Sequence, residues 1–118
     1  VMEMVINILD CMEGGEIFIP KMQSLRVVDV LKTLAPECKL NVIGIRPGEK
    51  LHEKLLTKHE ADRTRDLGTM FAILPEFVSW ATKNSFDKKK HFPEESVYSS
   101  DSPDFLLPAK DVKEILKI

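Results

Sequence analysis

Arg46 and Glu49 stand three residues apart in the run Ile45-Arg46-Pro47-Gly48-Glu49-Lys50-Leu51-His52-Glu53, and both could serve a phosphorylated ligand. A guanidinium grips phosphate oxygens through paired N–H donors. A carboxylate accepts two hydrogen bonds from the vicinal hydroxyls of a ribose. Together they suit a nucleoside diphosphate. Pro47 favours an extended Arg46 and fits a first helical position, while Gly48 lets a ligand approach the backbone closely. A helix beginning at this turn would offer an anion its free N–H groups and the positive end of its dipole. Composition alone also permits a plainer account: Pro-Gly is a common turn, Glu49 satisfies a helix-start preference, and Arg46 is a solvated surface charge.

No other cluster has the spacing that chemistry requires. His52-Glu53 begins like a zinc-protease helix, but Leu56 occupies the position where that motif needs a second histidine. His59, within Thr57-Lys58-His59-Glu60, and His91, beside Lys88-Lys89-Lys90, lack partners at ligand spacing and are expected to face solvent. Cys11 and Cys38 read as free thiols, small residues expected to be buried or half-buried. Seventeen Lys and Arg against nineteen Asp and Glu give a net charge of −2, so no broad field draws nucleic acid or an anionic membrane. Any phosphate must be held locally. Apolar runs fall short of the roughly 20 residues of a membrane helix, and a basic-then-apolar leader is absent. A cytoplasmic chain with no membrane segment is expected.

The elements that must position the turn follow from periodicity. Residues 2–12 carry Met4, Val5, Ile8, Leu9 and Met12 at helical spacing, a stripe that reads as core, and Gly14 or Gly15 is placed to end the helix. The chain starts almost inside this helix, with no cap ahead of Val1, which suggests a fragment. Glu16–Pro20 reads as a strand closed by Pro20, with Lys21 at its end. Ser24 is placed to cap a helix running to about Ala35, whose apolar face is Val27, Val28, Val30, Leu31 and Leu34. Leu40, Val42, Ile43 and Ile45 then read as a buried strand that delivers Arg46 to its carboxyl end. Strand, helix and strand in succession favour α/β architecture. Beyond Gly48 a helix is expected, with Leu51, Leu55 and Leu56 on one face. It should break at the capping box from Thr57 to Glu60, and a second short helix should reach Asp66. Thr69–Leu74 reads as a strand stopped by Pro75, and Phe77, Val78 and Trp80 as an apolar packing cluster. From Asn84 to Asp104 the pattern dissolves into a polar connection, and Ala109–Leu116 reads as a short amphipathic helix.

Several runs together resemble one family. They are Gly14-Gly15-Glu16-Ile17-Phe18-Ile19-Pro20-Lys21-Met22, Ala35-Pro36-Glu37-Cys38-Lys39, the run from Ile43 to Glu53, and Tyr98-Ser99-Ser100-Asp101. In this order, over nearly the whole chain, they resemble the carboxyl-terminal part of the UDP-N-acetylglucosamine 4,6-dehydratases. These are extended short-chain dehydrogenase/reductases of polysaccharide and glycan biosynthesis. The resemblance implies an α/β fold made of the edge of a Rossmann sheet plus a small substrate-binding lobe. Residues 1–22 would complete a missing amino-terminal Rossmann portion, 23–83 would form the nucleotide-sugar lobe, and 84–118 a polar connection with a terminal helix. Alone, such a piece would expose a strand edge and an apolar helix face.

The resemblance also implies that Arg46 meets the diphosphate of a UDP-sugar and Glu49 its ribose. Lys21 would add a point charge on phosphate, although a solvated lysine fits that position equally well. The full-length parent would be a homo-oligomer using NADP or NAD to oxidise C4 of the sugar. Loss of water across C5 and C6 and return of the hydride to C6 would follow. That chemistry requires a Gly-rich dinucleotide turn and a Tyr with a Lys four residues on. No such glycine triplet occurs, and the only tyrosine, Tyr98, has Ser102 at that position. This chain is therefore expected to bind no cofactor and to be catalytically incomplete by itself. A UDP-sugar 4-epimerase of the same superfamily and a non-catalytic UDP-sugar-binding or assembly module are the alternatives. Tyr98-Ser99-Ser100-Asp101 matches a family motif but receives no chemical role.

Overall fold

The computed structural model describes residues 2–77, 85–94 and 96–117. In chain order they form α1 (Met2–Cys11), β1 (Ile17–Pro20), α2 (Val27–Leu34), β2 (Lys54–Leu56), β3 (Thr64–Asp66), β4 (Met70–Ile73), β5 (Lys90–His91), β6 (Tyr98–Ser99) and α3 (Val112–Leu116). Single 3-10 turns fall at Lys58–Glu60, Ser85–Lys88, Pro103–Phe105 and Ala109–Asp111. The chain divides into two compact units, one of Val1–Lys21 with Leu55–Tyr98 and the other of Met22–Lys54 with Ser99–Ile118.

The first unit is built on β4, whose four residues Met70-Phe71-Ala72-Ile73 are all buried, as a short continuous apolar run in a strand predicts. β4 lies inside an antiparallel sheet ordered β1-β4-β3-β5. β1 sets Ile17 opposite Ile73 and Pro20 opposite Met70, and β3 sets Thr64 opposite Ile73 and Asp66 opposite Phe71. Pro20 closes β1 at the sheet's edge, where its missing N–H costs no ladder bond. The Phe71 ring meets Phe92 and Tyr98 edge-on at centroid distances of 5.0 and 5.4 Å, the offset geometry that aromatic quadrupoles favour. The Thr64 side chain is fully buried, and its hydroxyl donates to the Glu60 carbonyl at 2.6 Å. A separate two-stranded sheet pairs β2 with β6.

In the second unit α2 packs against α3. Asp29, buried in the first turn of α2, accepts from Arg26 Nε at 2.7 Å. Ser24 does not cap this helix: Arg26 holds the cap position, while Ser24 forms a parallel bridge to Leu106. Ser24 N–H donates to the Phe105 carbonyl at 2.7 Å, and Leu107 N–H donates to the Ser24 carbonyl at 2.9 Å.

Mixed helix and sheet stands as the fold class, but several elements differ from expectation. No strand forms over Leu40–Ile45; Val42 and Ile43 are 91% and 70% exposed. β-propensity measures the fit of a side chain to a paired, half-covered surface, and no partner strand reaches this run among the described residues. No helix follows Gly48: residues 50–53 are irregular and lead into β2. The Leu51, Leu55 and Leu56 spacing was compatible with a helix face, yet it is Leu56 in a strand that becomes fully buried. The capping box of Thr57 and Glu60 is present with both its bonds, but it caps one 3-10 turn. The expected helix to Asp66 gives way to β3, because pairing with β4 outweighs local helix preference. α1 forms but ends at Cys11, before Gly14 and Gly15, which take positive φ in the connection to β1; none of its residues is buried, so the methionine stripe is not core in this chain. Cys11 and Cys38 are both exposed rather than buried. His59 and His91 face solvent as expected. Phe77 is exposed, while Val78 and Trp80 lie outside the described residues. The described residues between Asn84 and Asp104 are more structured than their composition implies, since Phe86, Phe92 and Tyr98 are buried among them.

Candidate functional site

Arg46 and Glu49 are brought together by a tight turn. Gly48 has φ +86°, the left-handed value that the third residue of a Pro-Gly type II turn requires, and an added Cβ there would meet open space. The glycine thus serves backbone conformation, not room for a neighbouring atom. Glu49 N–H donates to the Arg46 carbonyl at 3.1 Å, and Arg46 N–H donates back to Glu49 Oε2 at 2.9 Å. Glu49 Oε1 lies 3.8 Å from Arg46 Nε. Both side chains are exposed, at 71% and 52%. A carboxylate offers about four lone-pair positions, so closing the turn occupies part of Glu49 and leaves acceptor capacity on Oε1. Chemically, the turn presents a cation with its terminal nitrogens toward solvent beside a carboxylate of fixed orientation. The helix dipole expected to assist it does not exist here.

Downstream, the turn runs into a segment held by Ser99–Asp101, residues for which sequence reasoning found no role. Glu53 N–H donates to Ser100 Oγ at 3.0 Å and Ser100 N–H donates to the Glu53 carbonyl at 2.9 Å. His52 Nε2 lies 3.8 Å from Asp101 Oδ2, and Ser99 Oγ donates to Asp101 Oδ1 at 2.5 Å. The Ser99 hydroxyl is the main reason the Asp101 carboxyl is held below its usual range; the charges of His52 and Lys54 act in the same direction. Leu51, His52, Ser100, Asp101, Arg26 and Leu106 wall a cavity of about 220 Å³. That is smaller than the roughly 300–1,000 Å³ typical of a ligand pocket, so it could enclose part of a sugar nucleotide but not the whole.

Lys21 belongs to the other unit. Its ammonium donates to Asp66 Oδ1 at 2.6 Å and lies 4.6 Å from the centre of the Phe71 ring. Asp66 also accepts from Gly68 N–H at 2.8 Å. Burial raises the Asp66 pKa, but the Lys21 hydrogen bond, the Gly68 N–H and the charges of Lys21 and Lys90 outweigh it and leave the group below its usual range.

A dinucleotide does not fit the residues present. Its pyrophosphate needs a glycine turn leading from a strand into a helix. Gly14 and Gly15 lead instead from α1 into β1, and Gly48 leads into an irregular segment. Among the described residues, no group of three or more His, Cys, Asp or Glu could hold a metal ion, and no helix is long and apolar enough to cross a membrane.

By its fold the chain is a mixed helix-and-sheet piece whose most chemically equipped feature is an exposed Arg–Glu turn. Residues 1–75 match the family described as polysaccharide biosynthesis protein, and the chain belongs to that family. It is 33% identical over 118 residues to a UDP-N-acetylglucosamine 4,6-dehydratase (inverting) of Campylobacter jejuni, covering 95% of this chain and 35% of that protein. It is 35% identical over 116 residues to an uncharacterized membrane protein of Methanocaldococcus jannaschii, covering 89% of this chain and 32% of the relative. Among solved structures it is similar to Pen from Bacillus thuringiensis, with a TM-score of 0.73 and 25% identity over 98% of this chain and 35% of that one. The chain thus spans about a third of the length of the relatives it matches, which agrees with the expected part of a larger short-chain dehydrogenase/reductase.

Proposed function

We propose that this chain supplies the UDP-sugar-binding portion of an NAD(P)-dependent UDP-N-acetylglucosamine 4,6-dehydratase of the cytoplasm. Arg46 contacts the diphosphate and Glu49 the ribose, and Lys21 is a separate candidate for a phosphate charge. Cofactor and catalytic groups come from the rest of the parent, so the chain by itself performs no reaction. The observation that carries the reading is the Arg46–Glu49 turn, a guanidinium open to solvent beside a carboxylate whose second oxygen is available to a hydroxyl. Family membership and the name of the Campylobacter relative support a dehydratase over the 4-epimerase. The small volume of the neighbouring cavity supports a site completed by other residues.

Calorimetric titration with UDP tests it. Arg46→Ala is expected to weaken binding about tenfold, the worth of one charge-assisted contact. Glu49→Gln is expected to weaken UDP more than a ribose-free pyrophosphate. Equal UDP affinity in the parent chain and Arg46→Ala removes Arg46 from the site, and equal losses for the two ligands in Glu49→Gln exclude ribose recognition.

A further inference from the structure

Residues 39–45, which lead into the Arg46–Glu49 turn, make no hydrogen bond to any other described residue. The bonds of the turn itself are internal. The first hydrogen-bonded anchor after it is Glu53, whose backbone is bonded in both directions to Ser100. One residue earlier, His52 faces Asp101 at 3.8 Å. Only Lys50, Leu51 and His52 therefore separate the last residue of the turn from the first hydrogen-bonded one.

The anchoring segment is itself braced. Ser99 N–H donates to Ser102 Oγ at 3.0 Å, Ser102 N–H donates to the Ser99 carbonyl at 3.0 Å, and the Ser99 hydroxyl holds Asp101. We infer that Ser99–Asp101 is a clasp that positions the Arg46–Glu49 turn for its nucleoside diphosphate, with Ser100 as the principal positioning residue. This rests on reading that turn as the diphosphate site.

The physical ground is preorganisation. Two opposed bonds at one residue pair, one backbone to backbone and one from Glu53 N–H to the Ser100 hydroxyl, fix both the position and the direction of the chain at Glu53. The Asp101–His52 contact extends that constraint toward the turn. With the clasp in place, the turn's placement depends on the dihedrals of the three residues Lys50, Leu51 and His52. Without it, the segment from Lys39 to Glu53 would have to be ordered when the ligand binds, at a cost in affinity. Ser100 needs no contact with the ligand to have this effect.

Hydrogen exchange and UDP titration on the 118-residue chain test the clasp. In the unliganded chain, Ser100→Ala should speed amide exchange over 46–53 about fivefold, as loss of one hydrogen bond implies. Exchange in Met70–Ile73 should not change. UDP binding should weaken about threefold to tenfold with Arg46 present and not at all in an Arg46→Ala background. Ser100→Thr, which keeps the hydroxyl, should restore both, and Asp101→Asn should reproduce the exchange change with smaller amplitude.

Unchanged exchange at 46–53 in Ser100→Ala overturns the clasp, even where Arg46→Ala loses UDP as expected. An equal loss of UDP affinity in both backgrounds means general damage and overturns the positioning role. Faster exchange combined with full UDP affinity in Arg46→Ala overturns the diphosphate site, and with it the clasp's role in binding.

Discussion

Replacing Lys21 by Met keeps the aliphatic stem and removes the charge, which isolates what the ammonium contributes to the first unit. Its bond to Asp66 is 2.6 Å long and both side chains are less than a quarter exposed, so the pair is better sheltered than a typical surface ion pair. A charge-assisted hydrogen bond contributes about 1.5–3 kcal/mol, which partial exposure reduces to about 1–2. The Phe71 ring 4.6 Å away adds about 0.5–1 kcal/mol of cation–π attraction. The expected destabilisation is about 2 kcal/mol, equivalent to a fall of about 1 M in the urea midpoint of circular-dichroism melts at pH 7.

The pH dependence has a definite sign. Asp66 has a folded pKa below its ordinary value of 3.8, so its contribution is fully present above the unfolded pKa and is lost as pH falls through the folded one. The gap between parent and Lys21→Met should therefore be constant near neutrality. It should narrow below about pH 4 toward the cation–π remainder. Equal midpoints at pH 7, or a gap that does not narrow in acid, would refute the assignment. UDP affinity of the folded variant then measures Lys21 as a phosphate cation separately from its ion pair.

Two further substitutions probe the second unit. Gly48→Ala places an L-residue at φ +86° in otherwise open space, so its cost is conformational, about 1–2 kcal/mol, and should open the exposed turn rather than the core. UDP affinity should fall about fivefold to tenfold with no change in the urea midpoint; an unchanged affinity means the turn geometry is irrelevant to binding. Ser99→Ala removes the main cause of the low Asp101 pKa, so the Asp101 carboxyl should titrate at higher pH when followed by NMR. An unmoved titration would contradict the Ser99–Asp101 hydrogen bond.

Local chemistry by itself determined much of this chain. Helical spacing located α1 and α2, the Pro20 boundary located β1, the apolar run before Pro75 located β4, and Thr57 with Glu60 announced its capping box. Arg46-Pro47-Gly48-Glu49 likewise specified its own turn, because a proline of fixed φ followed by a glycine free to take positive φ closes it without help from elsewhere. Tertiary structure alone decided three other matters. Leu40–Ile45, with every mark of a strand, stays unpaired because a strand exists only in hydrogen bonds to a neighbour, and that neighbour is not among the described residues. Thr64–Asp66 becomes strand where local signals favoured helix because β4 offers it a ladder. Ser100 acquires its place against Glu53 because the fold carries it to within hydrogen-bond reach of that residue, 47 positions earlier in the chain. Such contacts depend on distance in space, which spacing along a sequence does not encode.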